Sequence, residues 1–519
     1  MKRRRHVRVS WLGGIAATFV FTAFSCAMGA KPPASARKAR DNAGQPFTMT
    51  DCVAIALEQN FQIRLSRFDL NNAVQDEQIA LAAFDPVLSS QVTDSGSRAA
   101  EANSELQGSA TPQSKTVSTS FAIDQRLLTG GQLTITNGSQ RFEDNSQFSL
   151  LNPSYDADFQ LNLRQPLLKG GGLFVNRIPI LLSRIEIQDA GWQQRKAIQT
   201  TVAAVETAYW DVVMARKEEE FSREDLDISE KLVSEVQVRM NAGLSNGLDQ
   251  LSAQTDVATK RETLITNGQA IENRLDLLYQ LLGYTRFDGL RVAEAPDLPF
   301  LGIGSTDVAR EVALAETCDP DYQIAQEAVQ RGRLNVAQAK NNLLPQVDLV
   351  ASGTYSGRSD AYDSAYRGAV NGDGRDWSVG FEARVPWGFR EDRARLQQAR
   401  NGESSARVQA EQAGQRLLVT VRAACRAIEA GQQRVKASAA TLRLSEERYA
   451  AAKSRFDEGL AEYRDVVDAQ QSLANSKIAR LRARIDLVKA EIELSRLDGT
   501  LLARHHLAWK TGGIHSSFK

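Results

Sequence analysis

Residues 455–470 read RFDEGLAEYRDVVDAQ, and residues 239–254 read RMNAGLSNGLDQLSAQ. Placed one under the other at a constant offset of 216, they match at Arg239 and Arg455, Gly243 and Gly459, Leu244 and Leu460, Asp249 and Asp465, Ala253 and Ala469, and Gln254 and Gln470. The register continues through Leu278 and Leu494, Leu281 and Leu497, and Gly283 and Gly499. Such a match is an internal duplication. In each copy a helical pattern ends at a Gly, and another begins within about five residues with an Asp in its first turn. Each copy therefore reads as a tight αα-hairpin.

On the N-terminal side of each hairpin lies a long helical pattern, 174–241 and 392–457, with no Pro beyond Pro179. Ile198, Val202, Val205, Tyr209 and Val212 are spaced 4-3-4-3, and Ile428, Val435, Leu442, Tyr449 and Phe456 recur every seven residues. Heptad seams of this kind require a partner helix. At 1.5 Å per residue each pattern reaches roughly 100 Å, more than a compact domain needs. On the C-terminal side, 248–282 carries a seam at Ile271, Leu275, Leu278 and Leu282, and 464–497 carries one at Ile478, Leu481, Ile485, Val488 and Ile492. Each pairs with the C-terminal half of its long helix, leaving the other half for the helix that opens each copy.

Those opening helices are predicted over 48–83, with Val53, Leu57, Leu65, Phe68 and Val74 on one side, and over 307–342, at an offset of 259. Both end at a Pro corner, Pro86 and Leu343-Leu344-Pro345. Beyond each Pro the apolar period changes from 3.6 to 2. Tyr155, Ala157, Phe159, Leu161 and Leu163 alternate with polar residues, as do Trp377, Val379, Phe381, Ala383, Val385 and Trp387. A β-sandwich strand alternates in the same way, but a ten-residue face with a Trp at each end suits a strand facing lipid between aromatic girdles. Between Pro86 and Pro166 the chain is much longer than between Pro345 and Pro386. The surplus holds an alternating pair, 117–128 and 132–142, around Thr129-Gly130-Gly131: an added strand pair or a folded external loop.

The N-terminus supplies the address. Lys2, Arg3, Arg4, Arg5 and Arg8 precede an apolar run, 15–30, too short to span a bilayer, which is the pattern of a secretory signal. Those five account for the balance of 63 basic against 63 acidic residues, so the mature chain is mildly acidic and nucleic acid is no partner. Cys26 is a candidate lipidation site, although Phe24 fits that signal poorly. No later apolar run is long enough for a membrane helix, so a membrane crossing has to be made of strands. The divisions read as signal peptide 1–29, linker 30–46, first repeat 47–284, linker 285–306, second repeat 307–500 and tail 501–519.

Catalytic and metal readings find little support. The histidines are His6, in the signal, and His505, His506 and His515, read as a polar tail, so the body has neither a His triad nor a His metal site. Lys169-Gly170-Gly171-Gly172 lacks the Gly-Lys-Ser/Thr of a phosphate loop and suits a strand-to-helix corner. No cofactor is expected and the chain reads as no enzyme.

The duplicated Pro corners, Gln165-Pro166-Leu167-Leu168, the two Gly-Leu hairpins and Asp-Val-Val-Asp-Ala-Gln at 465–470 together resemble the TolC-like family of outer-membrane efflux and secretion proteins, from residue 48 to 499. The resemblance implies a mixed α/β membrane protein: a trimeric outer-membrane β-barrel, four strands per subunit and twelve in all, continued by a long periplasmic α-helical barrel and built from two internal repeats. It implies a homotrimer in outer-membrane lipid, a periplasmic membrane-fusion adaptor and, through that adaptor, an inner-membrane pump. It places the adaptor-docking rim at Arg239, Gly243, Leu244, Ser245, Arg455, Gly459, Leu460 and Ala461. The acidic pair of the periplasmic gate falls on Asp465 and Asp468; alone, that pair would read as a solvated first helical turn. The Tyr and Arg that lock the family's gate fall on Phe456 and Ala461, with Arg464 as the available substitute. The lipid-facing strand residues are Tyr155, Phe159, Leu161, Trp377, Val379, Phe381, Val385 and Trp387. The alternative from another class is a soluble periplasmic coiled-coil adaptor or scaffold.

Overall fold

Thr48 starts the first helix with a capping box: its hydroxyl accepts from Asp51 N at 3.3 Å, and Asp51 Oδ2 accepts from Thr48 N at 3.0 Å. The computed structural model describes residues 47–99, 108–109, 111–243, 247–284 and 307–505, with the backbone of 507–510 and 513–516. The chain divides at Pro46, and the description concerns the unit that begins at Phe47. The signal segment with Cys26, the turn residues Leu244 and Ser245, the linker 285–306 and His506 lie outside the described residues.

The helix expected over 48–83 is two helices, α1 (Met49–Gln59) and α2 (Phe61–Ala82). Asn60 divides them: its Oδ1 accepts from Gln62 N at 2.9 Å and Ile63 N at 3.2 Å, and its Nδ2 donates to Leu281 O at 2.7 Å. The break resets the helical phase. Ile63, Ser66, Leu70 and Ala73 are buried, while Leu65 and Phe68, expected inside, are exposed.

After the Pro86 corner come four strands, β1 (Val87–Arg98), β2 (Gln113–Arg126), β3 (Gln132–Asp144) and β4 (Ser154–Pro166). A single turn, α3 (Leu173–Asn176), leads into the 64-residue α4 (Ile178–Asn241), followed by α5 (Gly247–Leu282). Next come α6 (Val308–Cys318) and α7 (Pro320–Asn342), divided where one helix was expected. Asp319 caps α7 through Tyr322 N at 2.9 Å, and Pro320 takes its first position, where a missing N–H costs nothing. Asp319 stands at the offset of 259 from Asn60.

The chain continues through β5 (Gln346–Ser359), α8 (Tyr362–Asn371), β6 (Gly374–Arg384), the 68-residue α9 (Arg390–Asp457) and α10 (Tyr463–Leu497). The short α11 (Thr500–Arg504) and a β7 (Leu507–Lys510)–β8 (Gly513–Ser516) hairpin follow. The tail reading is corrected at its start: Leu501 and Leu502 are buried, and His505 Nε2 lies 2.5 Å from Glu206 Oε1 of α4.

The expected helix pairs form. α5 and the α1–α2 pair share α4 lengthwise, and α10 and the α6–α7 pair share α9. Ile198, Val202, Val205, Tyr209 and Val212 are buried with Ile271, Leu275, Leu278, Leu282, Ile485 and Ile492 in the largest cluster. Ile428 and Leu417 pack with Ala315, Leu487 and Leu494 in a second.

All six strands of the first sheet pair antiparallel in the order β1-β2-β3-β4-β5-β6. The surplus hairpin is therefore part of the sheet, and the subunit carries six strands where the resemblance implied four. Its turn is fixed at the helix end: Leu127 N donates to Gly131 O at 2.7 Å, Gly172 N to Thr129 O at 3.0 Å, and Thr129 Oγ1 to Gln165 Oε1 at 2.8 Å. Gly130 has φ +90°, which a side chain would oppose, and a Cβ there would lie 2.2 Å from Gly170 O.

Candidate functional site

The sheet and the hairpin tips are the two places where the sequence put function. Register fixes the faces of the sheet, because side chains alternate along every strand. One transverse row contains Leu88, Ile123, Ile135, Leu161, Gly353 and Trp377, each paired with the next across all six strands. The five side chains in that row are exposed, Trp377 at 81%. Val379 and Phe381 extend the same face and are also exposed. The adjacent row on the opposite face reads Val87, Asp124, Thr134, Asn162, Ser352 and Ser378, polar on every strand but β1. Also on that polar face, Arg164 Nη2 lies 2.6 Å from Asp348 and 3.0 Å from Glu382.

Two expectations for the apolar face need correction. β6 ends at Arg384, so Val385 and Trp387 lie beyond it, with Trp387 in an exposed turn. Pro386 has no N–H to continue the ladder. At the other end of the face, α8 covers Tyr155 and Phe159, which are half-buried. Ala157 under it is 1% exposed, and Tyr366 meets Phe159 edge to face with ring centres 5.3 Å apart. Small residues permit this approach: a Cβ on Gly357 would stand 2.2 Å from Ala365 O. Nothing in the alternating pattern signalled α8.

At the far end of the long helices, Gly459 ends α9 with φ +77°, donating to Phe456 O at 2.9 Å while Leu460 N donates to Arg455 O at 2.7 Å. That is the Schellman pair of bonds, and a left-handed Gly is what it requires. Gly243 ends α4 with the same φ and donates to Met240 O at 3.0 Å. A Cβ on either Gly would meet nothing within 4 Å among the described residues. Leu460 and Arg455 are exposed and Ala461 is half-buried.

Phe456, expected at the gate, is instead a core residue, 4% exposed among Leu232, Val236, Ala253, Tyr463 and Val466. The heptad seam places it inward, so it does not line an opening in this conformation. The matched residues Arg239 and Arg455 are also unequal: Arg455 is exposed, while Arg239 reaches across to the end of α9. Arg239 Nη2 donates to Phe456 O at 2.6 Å and Asp457 O at 3.2 Å, with its guanidinium 4.0 Å from the centre of the Phe456 ring. It thereby adds a second donor to Phe456 O, which also accepts from Gly459 N, supplies one to Asp457 O, and meets the negative end of the helix dipole.

Further bonds join the hairpins. Lys453 Nζ lies 2.6 Å from Glu235 of α4. Gln470, matched with Gln254 in sequence, is buried and donates to Asp225 Oδ1 at 2.8 Å, and Lys260 lies 2.6 Å from the other oxygen of Asp225. Burial first, then Asp256 and Asp249, push the Tyr463 hydroxyl up to about 12, and it has no hydrogen-bond partner among the described residues. The sequence reading placed Arg239 on the docking rim and noted Gln470 only as a matched position, without these contacts; Lys453 and Tyr463 escaped it, and a cation close before a hairpin Gly was the available signal for Lys453.

Asp465 and Asp468 are both exposed at the start of α10, as is Arg464. Asp465 also has a local role, because its Oδ2 accepts from Glu462 N at 3.3 Å in a capping box. Asp468 borders a polar groove with Ser438, Thr441, Gln471, Ser472 and Asn475. Among the described residues no cluster of His, Cys, Asp and Glu could hold a metal ion, and no helix is long and apolar enough to cross a membrane.

A family model described as Outer membrane efflux protein matches residues 53–284 and 312–500. No curated protein matches the chain. Among solved structures the chain is similar to the outer membrane protein VceC from Vibrio cholerae, at 17% identity and a TM-score of 0.63 over 87% of this chain and 96% of that one. It is similar to the Campylobacter jejuni CmeC outer membrane channel, at 16% identity and a TM-score of 0.63 over 87% and 85%. A membrane protein from Pseudomonas aeruginosa matches at 19% identity and a TM-score of 0.64 over 87% and 90%. At such identities the likeness is one of fold.

Proposed function

The chain belongs to the outer membrane efflux protein family, and from that membership we propose that three copies form the exit duct of a tripartite efflux or type I secretion system. Family membership makes it an outer-membrane efflux channel. In the proposed assembly the sheets join into a barrel in the outer membrane, and α4, α5, α9 and α10 extend into the periplasm as a helical tube. The two repeats, 47–284 and 307–500, supply alternate parts of that tube, in keeping with the caps at Asn60 and Asp319 and the left-handed Gly243 and Gly459. The Gly turns form the rim that docks a periplasmic adaptor, which links the duct to an inner-membrane pump. The α9–α10 hairpin moves against α4–α5 to open the entrance, and Asp465 and Asp468 ring it. Transport through the duct is passive, with no chemistry performed by the chain.

The observation that carries this reading is the sheet with one apolar and one polar face at the end of helices 64 and 68 residues long. A soluble scaffold gains nothing from exposing Trp377, Val379 and Phe381 to water. Membrane fractionation tests it. The expected result is outer-membrane protein that migrates as a trimer after mild detergent extraction, whereas release by osmotic shock would establish the coiled-coil scaffold instead.

A further inference from the structure

Six strands change what a ring of subunits encloses. With an even number of antiparallel strands, β1 and β6 run in opposite directions, so β6 of one copy meets β1 of the next in antiparallel sense. Both strands are open edges: every residue of β1 is exposed, and nearly every residue of β6. The same two flanks continue into the helices. β1 follows α2 and β6 precedes α9, and the packing order α2, α4, α7, α9 leaves α2 and α9 outermost. Leu65 and Phe68 on α2, and Val408 and Val419 on α9, are large apolar side chains left exposed on those flanks. Unpaired edges and bare apolar helices on matching sides fit one occupant, a second copy of this chain.

The hairpin β2–β3 belongs to the wall. Ile123 and Ile135 stand in the apolar row with Leu88, Leu161 and Trp377, and Asp124 and Thr134 stand in the polar row. An external loop has no reason to keep that register. The turn at Thr129 bonds to Gly172 and Gln165 at the helix end, so both strands run the full height of the sheet.

We propose, resting on the trimeric reading above, that β6 of each copy pairs with β1 of the next and that three copies close an eighteen-stranded barrel. With strands about 4.8 Å apart and tilted about 40°, twelve strands give a backbone diameter of about 24 Å and eighteen give about 36 Å. The outer exit of this duct is thus about 1.5-fold wider than a twelve-stranded ring.

Single-cysteine labelling in intact outer membranes tests the wall, read against a parent chain carrying Cys318→Ser, because Cys318 is half-buried whereas Cys52 and Cys425 are buried. Ile135→Cys should resist a charged maleimide and accept a membrane-soluble one, and Thr136→Cys should accept the charged reagent. Leu161→Cys on β4 is the reference. Protection of Leu161→Cys with free labelling of Ile135→Cys by the charged reagent would overturn the eighteen-stranded wall and leave the membrane reading standing. Free labelling of both would remove the sheet from the membrane and overturn both. Closure is read from Leu88→Cys, Ser90→Cys or Val92→Cys, each combined with Val379→Cys and a bifunctional maleimide. At least one pair should yield a covalent trimer, and failure of all three would overturn the β6–β1 seam.

Discussion

Removing the Arg239 guanidinium should loosen the resting entrance. Its bonds to Phe456 O and Asp457 O, at 2.6 and 3.2 Å, are charge-assisted and join the end of α9 to α4. Such bonds contribute about 1.5–3 kcal/mol when buried, and the half-exposed setting of Arg239 reduces this toward about 1 kcal/mol. The contact with the Phe456 ring, 4.0 Å from its centre, adds about 0.5–1 kcal/mol. Arg239→Ala therefore removes about 2 kcal/mol per subunit from the closed arrangement, or about a 30-fold change in the open-to-closed ratio. Arg239→Lys should fall between, because an ammonium cannot fork onto two carbonyls. The assay is open probability in single-channel recordings of the purified protein, with Lys231→Ala as the control, an exposed cation paired with Asp227 on its own helix. An Arg239→Ala trimer with the wild-type open probability would refute the clamp and with it the movement of one hairpin against the other.

Six carboxylates around one opening should make the resting channel cation-selective and subject to block by multivalent cations from the periplasmic side. Asp465→Asn with Asp468→Asn should weaken both while preserving the cap, since Asn also caps; reversal potentials in a salt gradient measure it, and an unchanged value would place the pair away from the pore. Gly459→Ala forces a side chain to φ +77° without a clash, so it should cost about 1 kcal/mol in unfolding experiments, while Gly459→Trp should abolish adaptor-dependent export from intact trimers. Burial raises the Glu491 carboxyl from 4.5 to about 7, against a smaller opposing effect of Arg504. The native state then holds a proton that the unfolded chain has released, so stability is fully present below pH 4.5 and is lost as pH rises through 7, by up to roughly 3 kcal/mol. Glu491→Gln should flatten that slope in denaturant titrations at pH 5 and pH 8.

The helical part of the fold was legible because heptad seams repeat over many turns. Ile198 to Val212 and Ile428 to Phe456 announced their partners long before any contact was known. The interruptions at Asn60 and Pro320 were missed because the apolar pattern continues across them, although Asp319-Pro320 is a helix-start signal in its own right. The six-stranded sheet was left open because alternation in 117–142 reads alike in a wall strand and in a folded loop; pairing to β1 and β4 decides it, and pairing is not local. α8 was invisible for a related reason, since the small residues Gly357, Ala365 and Ala369 declare their closeness in space and not in sequence. The duplication misled at one point. It suggested that Arg239 and Arg455 act alike, whereas each tip packs against a different neighbour, so one cation clamps a helix end and the other stays in water.

In the proposed function this chain is by itself a conduit through the outer membrane. Purified protein inserted into a planar lipid bilayer, under a voltage and with no energy source, tests it most directly. Discrete, ohmic conductance steps that appear one trimer at a time, and that favour cations, are the expected result. Protein that associates with the bilayer, or stays in solution, without passing current would contradict it.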